Sequence, residues 1–153
     1  MRAAIIREHG DLDAIAVETV RDPVPRADEA LIAVRAMALN HMDLWARKGL
    51  PGFRFPLPLI PGCDIAGVVV SASGLEPGTE VVVAPGTSCG VCRACTSGED
   101  HLCRSYGILG ETRDGGCAEL VAVPRRNLIL KPKALSFAEA AAYPLTFLTA
   151  WHM

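Results

Sequence analysis

At 153 residues the chain is long enough for one domain with a sizeable core. Half of the residues are hydrophobic, 21% are charged and the net charge is −2, which gives no electrostatic case for nucleic acid or an anionic membrane surface as partner. No apolar run approaches the roughly 20 residues of a membrane span. Met1-Arg2 is not followed by a signal-like apolar stretch, so a cytoplasmic setting that keeps thiols reduced is expected.

Few aromatics beside many Val, Ala, Gly and Pro favour short strands and turns over a helical bundle. Ala3–Arg7 and Ala14–Val20 read as two strands around the turn His9-Gly10-Asp11, and the proline-bearing stretch Arg21–Asp28 reads as a loop. Ala30–Leu39 is a longer strand. Asn40 then stands as a helix N-cap, with Asp43 three residues on as in a capping box and the helix ending at Gly49. The four prolines between Pro51 and Pro61 predict irregular chain. Ile65–Ala72, apolar almost throughout, predicts a strand buried on both faces. Gly74–Thr79 turns it into a returning strand, Glu80–Ala84. After Gly115-Gly116 come a strand at Cys117–Val123, a turn at Pro124–Asn127 and a short strand at Leu128–Leu130. Ser136 and Glu139 form a second capping box opening a helix through Ala142, which Pro144 interrupts. Leu145–Met153 is apolar and carries no terminating Gly or Lys, so a second domain is expected to follow.

Between the sheet strands lies Cys89-x2-Cys92-x2-Cys95-x7-Cys103. Four thiols so close call for a shared partner, and tetrahedral Zn²⁺ fits them. Two disulfides would need an oxidising compartment. An iron–sulfur cluster is disfavoured by the last gap and by Arg104 where a proline is usual. Replacement of Cys103 by His101 is a further arrangement the spacing allows. With four protein ligands the metal has no open position, so the zinc is expected to be structural and not catalytic.

The ordered stretches Ala38–Gly49 (ALNHMDLWARKG), Pro61–Val69 (PGCDIAGVV), Gly74–Val82 (GLEPGTEVV), the cysteine loop, Gly115–Pro124 (GGCAELVAVP) and Ala140–Trp151 (AAAYPLTFLTAW) resemble the N-terminal half of medium-chain dehydrogenases/reductases, the superfamily of zinc-containing alcohol dehydrogenases and quinone oxidoreductases. The resemblance implies a mainly β, GroES-like, partly open barrel over residues 1–153. It also implies that 137–153 begins the connection to a Rossmann domain binding NAD or NADP. No G-x-G-x-x-G lies between a strand and a helix in this chain.

The same resemblance maps the family's catalytic-zinc ligands, two cysteines and a histidine, onto Asn40, Leu145 and Cys63. An amide is a poor zinc ligand and Leu is none, so the catalytic zinc is expected to be absent. The implied activity is hydride transfer between NAD(P) and a small carbonyl, enone, quinone or alcohol. The resemblance points to Asn40, Asp43, Cys63, Asp64 and Thr149 as catalytic positions, with Asn40, His41 and Thr149 near the cofactor. A residual metal site from His41, Cys63 and Asp64 is a further possibility. Asn40 and Asp43 also read as cap residues, Cys63 as an inert core thiol, His41 as a solvated side chain, Trp45 and Leu57 as pocket lining or core, and Cys117 as core. Competing readings are a zinc-stabilised non-enzymatic β module and a zinc-dependent dehydrogenase with an atypical metal site. The implied assembly is a homodimer or homotetramer acting on a small molecule.

Overall fold

A computed structural model describes all residues, Met1–Met153. Nine strands and four α-helices follow one another as β1 (Arg2–Ile6), β2 (Ile15–Thr19), β3 (Glu29–Ala38), α1 (His41–Lys48), β4 (Asp64–Ser71), β5 (Glu80–Val83), β6 (Gly86–Thr87), α2 (Arg93–Thr96), β7 (Gly107–Ile108), β8 (Leu120–Pro124), β9 (Leu128–Leu130), α3 (Phe137–Ala141) and α4 (Pro144–His152). An antiparallel five-stranded sheet of order β8-β3-β4-β5-β9 forms the body. The β1–β2 hairpin leans on it through a bridge from Ala3 to Ala118, and Ala4 N–H donates to the Cys117 carbonyl at 2.8 Å. A second bridge, Ile6 to Leu59, ties the hairpin to the proline-rich segment. These joins curl the sheets into a mainly β, partly open barrel, as the GroES-like resemblance implies.

Alternation decides what faces in. Ile32, Ile65, Val69, Val81, Val83, Val121 and Val123 point into one buried cluster, as the two-residue period of a strand requires. The intervening Ala66 and Val82 face outward yet are also buried, because Ala140 and Ala141 of α3 lie over them. Near-continuous apolar sequence in β4 therefore marks a strand covered on both faces. β3 shifts register between Val34 and Ala36, a bulge that bends this long strand. Gly67 faces it, and a Cβ there would collide with the Ala33 carbonyl oxygen.

Both capping boxes stand where the sequence puts them, with Ser136 Oγ accepting from Glu139 N–H at 3.2 Å and Glu139 accepting from Ser136 N–H at 2.8 Å. The Pro144 signal marks a start: Pro144 is the first residue of α4, where its missing N–H is no loss. The strand expected from Cys117 begins at Leu120, since Cys117–Glu119 bond to the hairpin and proline-rich segment as bridging chain. No helix is long and apolar enough to cross a membrane.

Candidate functional site

Two constellations carry chemistry, and they lie in different parts of the chain. The first is the cysteine lobe between β6 and β7. Sγ atoms of Cys89, Cys92, Cys95 and Cys103 all lie within 4.8 Å of one another, with Cys92–Cys95 at 3.5 Å and Cys89–Cys95 at 3.8 Å. A tetrahedron of Zn–S bonds of about 2.3 Å has edges of about 3.8 Å, so the four thiols fit the ion. Main-chain donors surround the sulfurs: Gly90 N–H to Cys95 at 3.3 Å, Cys89 N–H to Cys103 at 3.5 Å and Ser105 N–H to Cys103 at 3.4 Å. Such donors favour thiolates, the form a metal binds. Hydrogen bonds from Val91 and Cys92 N–H bring Cys89 down to about 6. His101 is not in the cluster; its ring packs edge-on to His152 at 5.2 Å. This is a closed, structural zinc site of four cysteines.

The second constellation is built where α1, β4 and α4 begin. Sequence separations of 24 and 81 residues vanish here. Asn40 Nδ2 donates to Asp64 Oδ2 at 2.8 Å and lies 3.4 Å from Cys63 Sγ. Asp64 Oδ1 accepts from Leu145 N–H at 2.8 Å. That N–H is one of the otherwise unpaired amides of the first turn of α4, so Asp64 caps this helix from a distant strand. Asp43 works in the same way below α1. Its Oδ2 accepts from Asn40 N–H at 2.7 Å and its Oδ1 from Gly62 N–H at 2.8 Å, which fixes the turn leading to Cys63.

All three acidic or thiol groups are buried, Cys63 completely and Asp64 to 1% exposure. Burial pushes both carboxyls above the ordinary Asp range, against the pull of their hydrogen bonds. The Cys63 thiol is pushed up to about 12 by burial and by the neighbouring Asp64 and Asp43 charges. It is therefore a neutral thiol, packed with Met42 and Ile65 in the main core, and no activated nucleophile.

Asn40, Asp43, Cys63 and Asp64 are thus brought together, and the main chain of Leu145 joins them. Thr149 lies one turn along α4 on its exposed side, its Oγ1 donating to the Leu145 carbonyl at 2.8 Å. His41 is exposed and turns edge-on to Trp45, with centroids 5.1 Å apart. Only the four-cysteine lobe gathers three or more potential ligand side chains. Leu57 packs against the core of Ile6, Ala46, Phe55 and Leu59, and Trp45 is 44% exposed. Sequence reading meets Leu145 only as a position whose side chain cannot ligate zinc, not as a hydrogen-bond donor. Its contribution is an amide N–H, whose only sequence signal is the helix start at Pro144.

The alcohol dehydrogenase GroES-like domain model matches residues 26–133. A 2-methylene-furan-3-one reductase of Solanum lycopersicum is 36% identical over 99% of this chain and 36% of its own length. The crystal structure of an NAD-dependent alcohol dehydrogenase is 49% identical, with TM-score 0.95, covering 100% of this chain and 46% of the other. A cobalt- and zinc-bound thermostable alcohol dehydrogenase from Pyrobaculum aerophilum is 34% identical, with TM-score 0.89, over 100% of this chain and 47% of its own. The chain thus spans between about a third and a half of the length of these relatives. With a matching model over most of its length and the same fold in its relatives, it belongs to the alcohol dehydrogenase GroES-like domain family.

Proposed function

We propose that this chain is the substrate-side domain of an NAD(P)-dependent oxidoreductase, and that its chemistry takes place over the Asn40–Cys63–Asp64 cluster. The observation that carries this is the convergence of Asn40, Asp64 and the start of α4 into one polar knot in an otherwise apolar region. A second domain, like the remaining part of the relatives, would hold most of the dinucleotide. When bound, NAD(P)H supplies the hydride.

This chain's residues orient and shield. In this reading Asn40 and Thr149 are assigned the hydrogen bonds near the nicotinamide or the substrate oxygen. Asp43 fixes the α1 start and the Gly62 turn, and Asp64 holds Asn40 against α4. Buried Cys63 closes the floor and carries no charge to compete with the reaction. The substrate class is a small carbonyl, enone, quinone or alcohol. The names of the relatives, a furanone reductase and alcohol dehydrogenases, support that range. Asn40, Cys63 and Leu145 offer one thiol between them as a good metal ligand, so we assign one zinc per chain, at the four cysteines. A cytoplasmic homodimer or homotetramer is the natural setting for reduced thiols in this family.

The test is to express the whole protein, count its zinc, and follow NADH and NADPH oxidation with enones, quinones and ketones, and NAD(P)⁺ reduction with alcohols. One zinc per chain and turnover lost at least about tenfold in Asn40→Ala, with unchanged Tm, is expected. Two zinc ions per chain would move the reading to a metal-dependent dehydrogenase. Absence of turnover with every acceptor and alcohol would leave a non-enzymatic zinc module.

A further inference from the structure

A contact from a distant part of the sequence reaches the entrance of the zinc lobe. The helical turn Arg125–Asn127 joins β8 to β9 in the barrel. Arg125 Nε donates to the Ser73 carbonyl at 2.9 Å, in the turn between β4 and β5. Asn127 Nδ2 donates to the carbonyls of Ala84 and Gly86 at 2.7 and 2.6 Å. Arg126 Nη2 donates to the Ser88 carbonyl. Ala84, Gly86 and Ser88 are alternate residues, and in extended chain alternate carbonyls point the same way. Side chains of one turn thus line up along the segment that leads from β5 into the lobe, and the last of their bonds falls on the residue before Cys89.

Gly90 shows that the guanidinium lies flush against the lobe. Its φ is +78°, a conformation that favours glycine, and a Cβ there would overlap Arg126 Nη1 and stand 3.0 Å from Cζ. Two main-chain donors sit in the same stretch. Cys89 N–H points to Cys103 Sγ at 3.5 Å, and Gly90 N–H points to Cys95 Sγ at 3.3 Å. Arg126 and Cys95 also line one cleft of about 330 Å³ between the lobe and the barrel. Four thiolates around Zn²⁺ carry an excess of negative charge, which a guanidinium complements. Arg93 and Arg104 border a hollow beside Cys89, Cys92 and Cys103, but they belong to the lobe and move with it.

We propose that Arg126 is a positioning residue for the four-cysteine centre. Anchored in the barrel, its planar fork holds the Ser88 carbonyl and the Gly90 backbone, so that the Cys89 and Gly90 amides stay aimed at the sulfurs of Cys103 and Cys95. Groups that orient ligands from outside the coordination sphere govern affinity nearly as the ligands do. The dependence therefore runs both ways: zinc orders the lobe, and the barrel, through Arg126, tightens the hold on zinc.

The test uses the whole protein, loaded with zinc or with ¹¹³Cd in its place. A hydrogen bond from N–H to a metal-bound sulfur carries scalar coupling from the ¹¹³Cd nucleus to the amide proton. In the natural chain the Cys89 and Gly90 amide protons should show that coupling. In Arg126→Ala both couplings should disappear, and zinc affinity, read by competition with a chromophoric chelator, should fall about ten- to a hundredfold. Arg126→Lys keeps the charge without the planar fork and should lose the couplings as well. Arg125→Ala removes a charge from the same turn but frees only the Ser73 carbonyl, so couplings and affinity should stay as they are. Hydrogen exchange in β3, β4 and β5 checks the barrel in each variant; Arg126 is exposed, so protection there should be unchanged. Should Arg126→Ala open the barrel, Arg126→Lys carries the same test.

Zinc affinity in Arg126→Ala within about twofold of the natural chain would overturn the assignment. So would an equal loss in Arg125→Ala, or full recovery of couplings and affinity in Arg126→Lys, because charge alone would then suffice. Affinity lost with both couplings retained would show that Arg126 does not act through the two amides, and couplings absent from the natural chain would remove the amide contacts on which the assignment stands.

Discussion

Asp43 and Asp64 show how one residue type serves two helices at once. Each is buried and each accepts two donors, one of them an amide of a helix start or of the Asn40 cap. Asp43→Ala removes two charge-assisted bonds and strands the Gly62 N–H. It is expected to cost about 2–4 kcal/mol, read as a fall in the urea midpoint at constant m. The pH dependence has a definite sign. Both carboxyls titrate above their unfolded value, so the folded state holds their protons more tightly. Their contribution is full below about pH 3.9 and is lost as pH rises through the raised folded values. The Tm of the natural chain should therefore gain on that of Asp64→Asn as pH falls toward about 3.9. Protonation of the zinc thiolates affects both proteins alike and cancels in the comparison. Glu29, held down by Arg26 N–H and by Arg113 against its burial, acts with the opposite sign and only below about pH 4.3. A constant or shrinking Tm gap would refute the assignment.

At the scale of elements, what the sequence makes legible is what local chemistry dictates. Ser136 with Glu139, the apolar run of β4 and the three-residue β9 stand as read because capping and alternation act within a few residues. The glycines between 107 and 116 are different. As a nucleotide loop their spacing is wrong, and as turns they are too many. Their role is proximity: a Cβ on Gly110 would sit 2.6 Å from the Gly62 nitrogen, and one on Gly115 would collide with the Gly62 carbonyl oxygen. Gly110 and Gly115 thus let two backbone segments touch, and Gly115 N–H and Gly116 N–H donate to Ile60 and Gly62 at 2.7 Å. That crossing sets Cys63 beside Leu109 in the core. Neither partner is visible from the other in sequence. Gly115→Ala is expected to cost about 3 kcal/mol, lowering Tm by roughly 10 °C, because the obstacle is backbone and cannot rotate away. Gly78→Ala, at φ +87° with nothing within 4 Å, meets only conformational strain and should cost about 1 kcal/mol. Equal losses in the two variants would mean that close approach is not what Gly115 provides.

For the whole molecule, the barrel and the cysteine lobe draw on separate sources of stability. The barrel has its own core, from Ala30 to Val123, and Cys63 is the only cysteine in it. The lobe has almost none: Val91 and Leu102 are 83% and 61% exposed, and its four-residue α2 buries no residue. So small an apolar content cannot offset the entropy of ordering some twenty residues, which leaves the metal to do it. The lobe is nevertheless stitched to the barrel at its base by short β6–β7 pairing and by Asn127, which donates to the Ala84 and Gly86 carbonyls at 2.7 and 2.6 Å. Removing zinc should therefore release the lobe and stop at that seam. Hydrogen exchange with and without a strong chelator is the measurement. Amides near 86–106 are expected to lose protection, while those of β3, β4, β5 and β8 keep theirs. Cys103→Ser should reproduce the effect without chelator, since Cys103 is the buried ligand of the four. Collapse of protection in β4 and β5 would mean that the lobe nucleates the barrel, because nothing in their two-sided packing against the core and α3 depends on the cysteines.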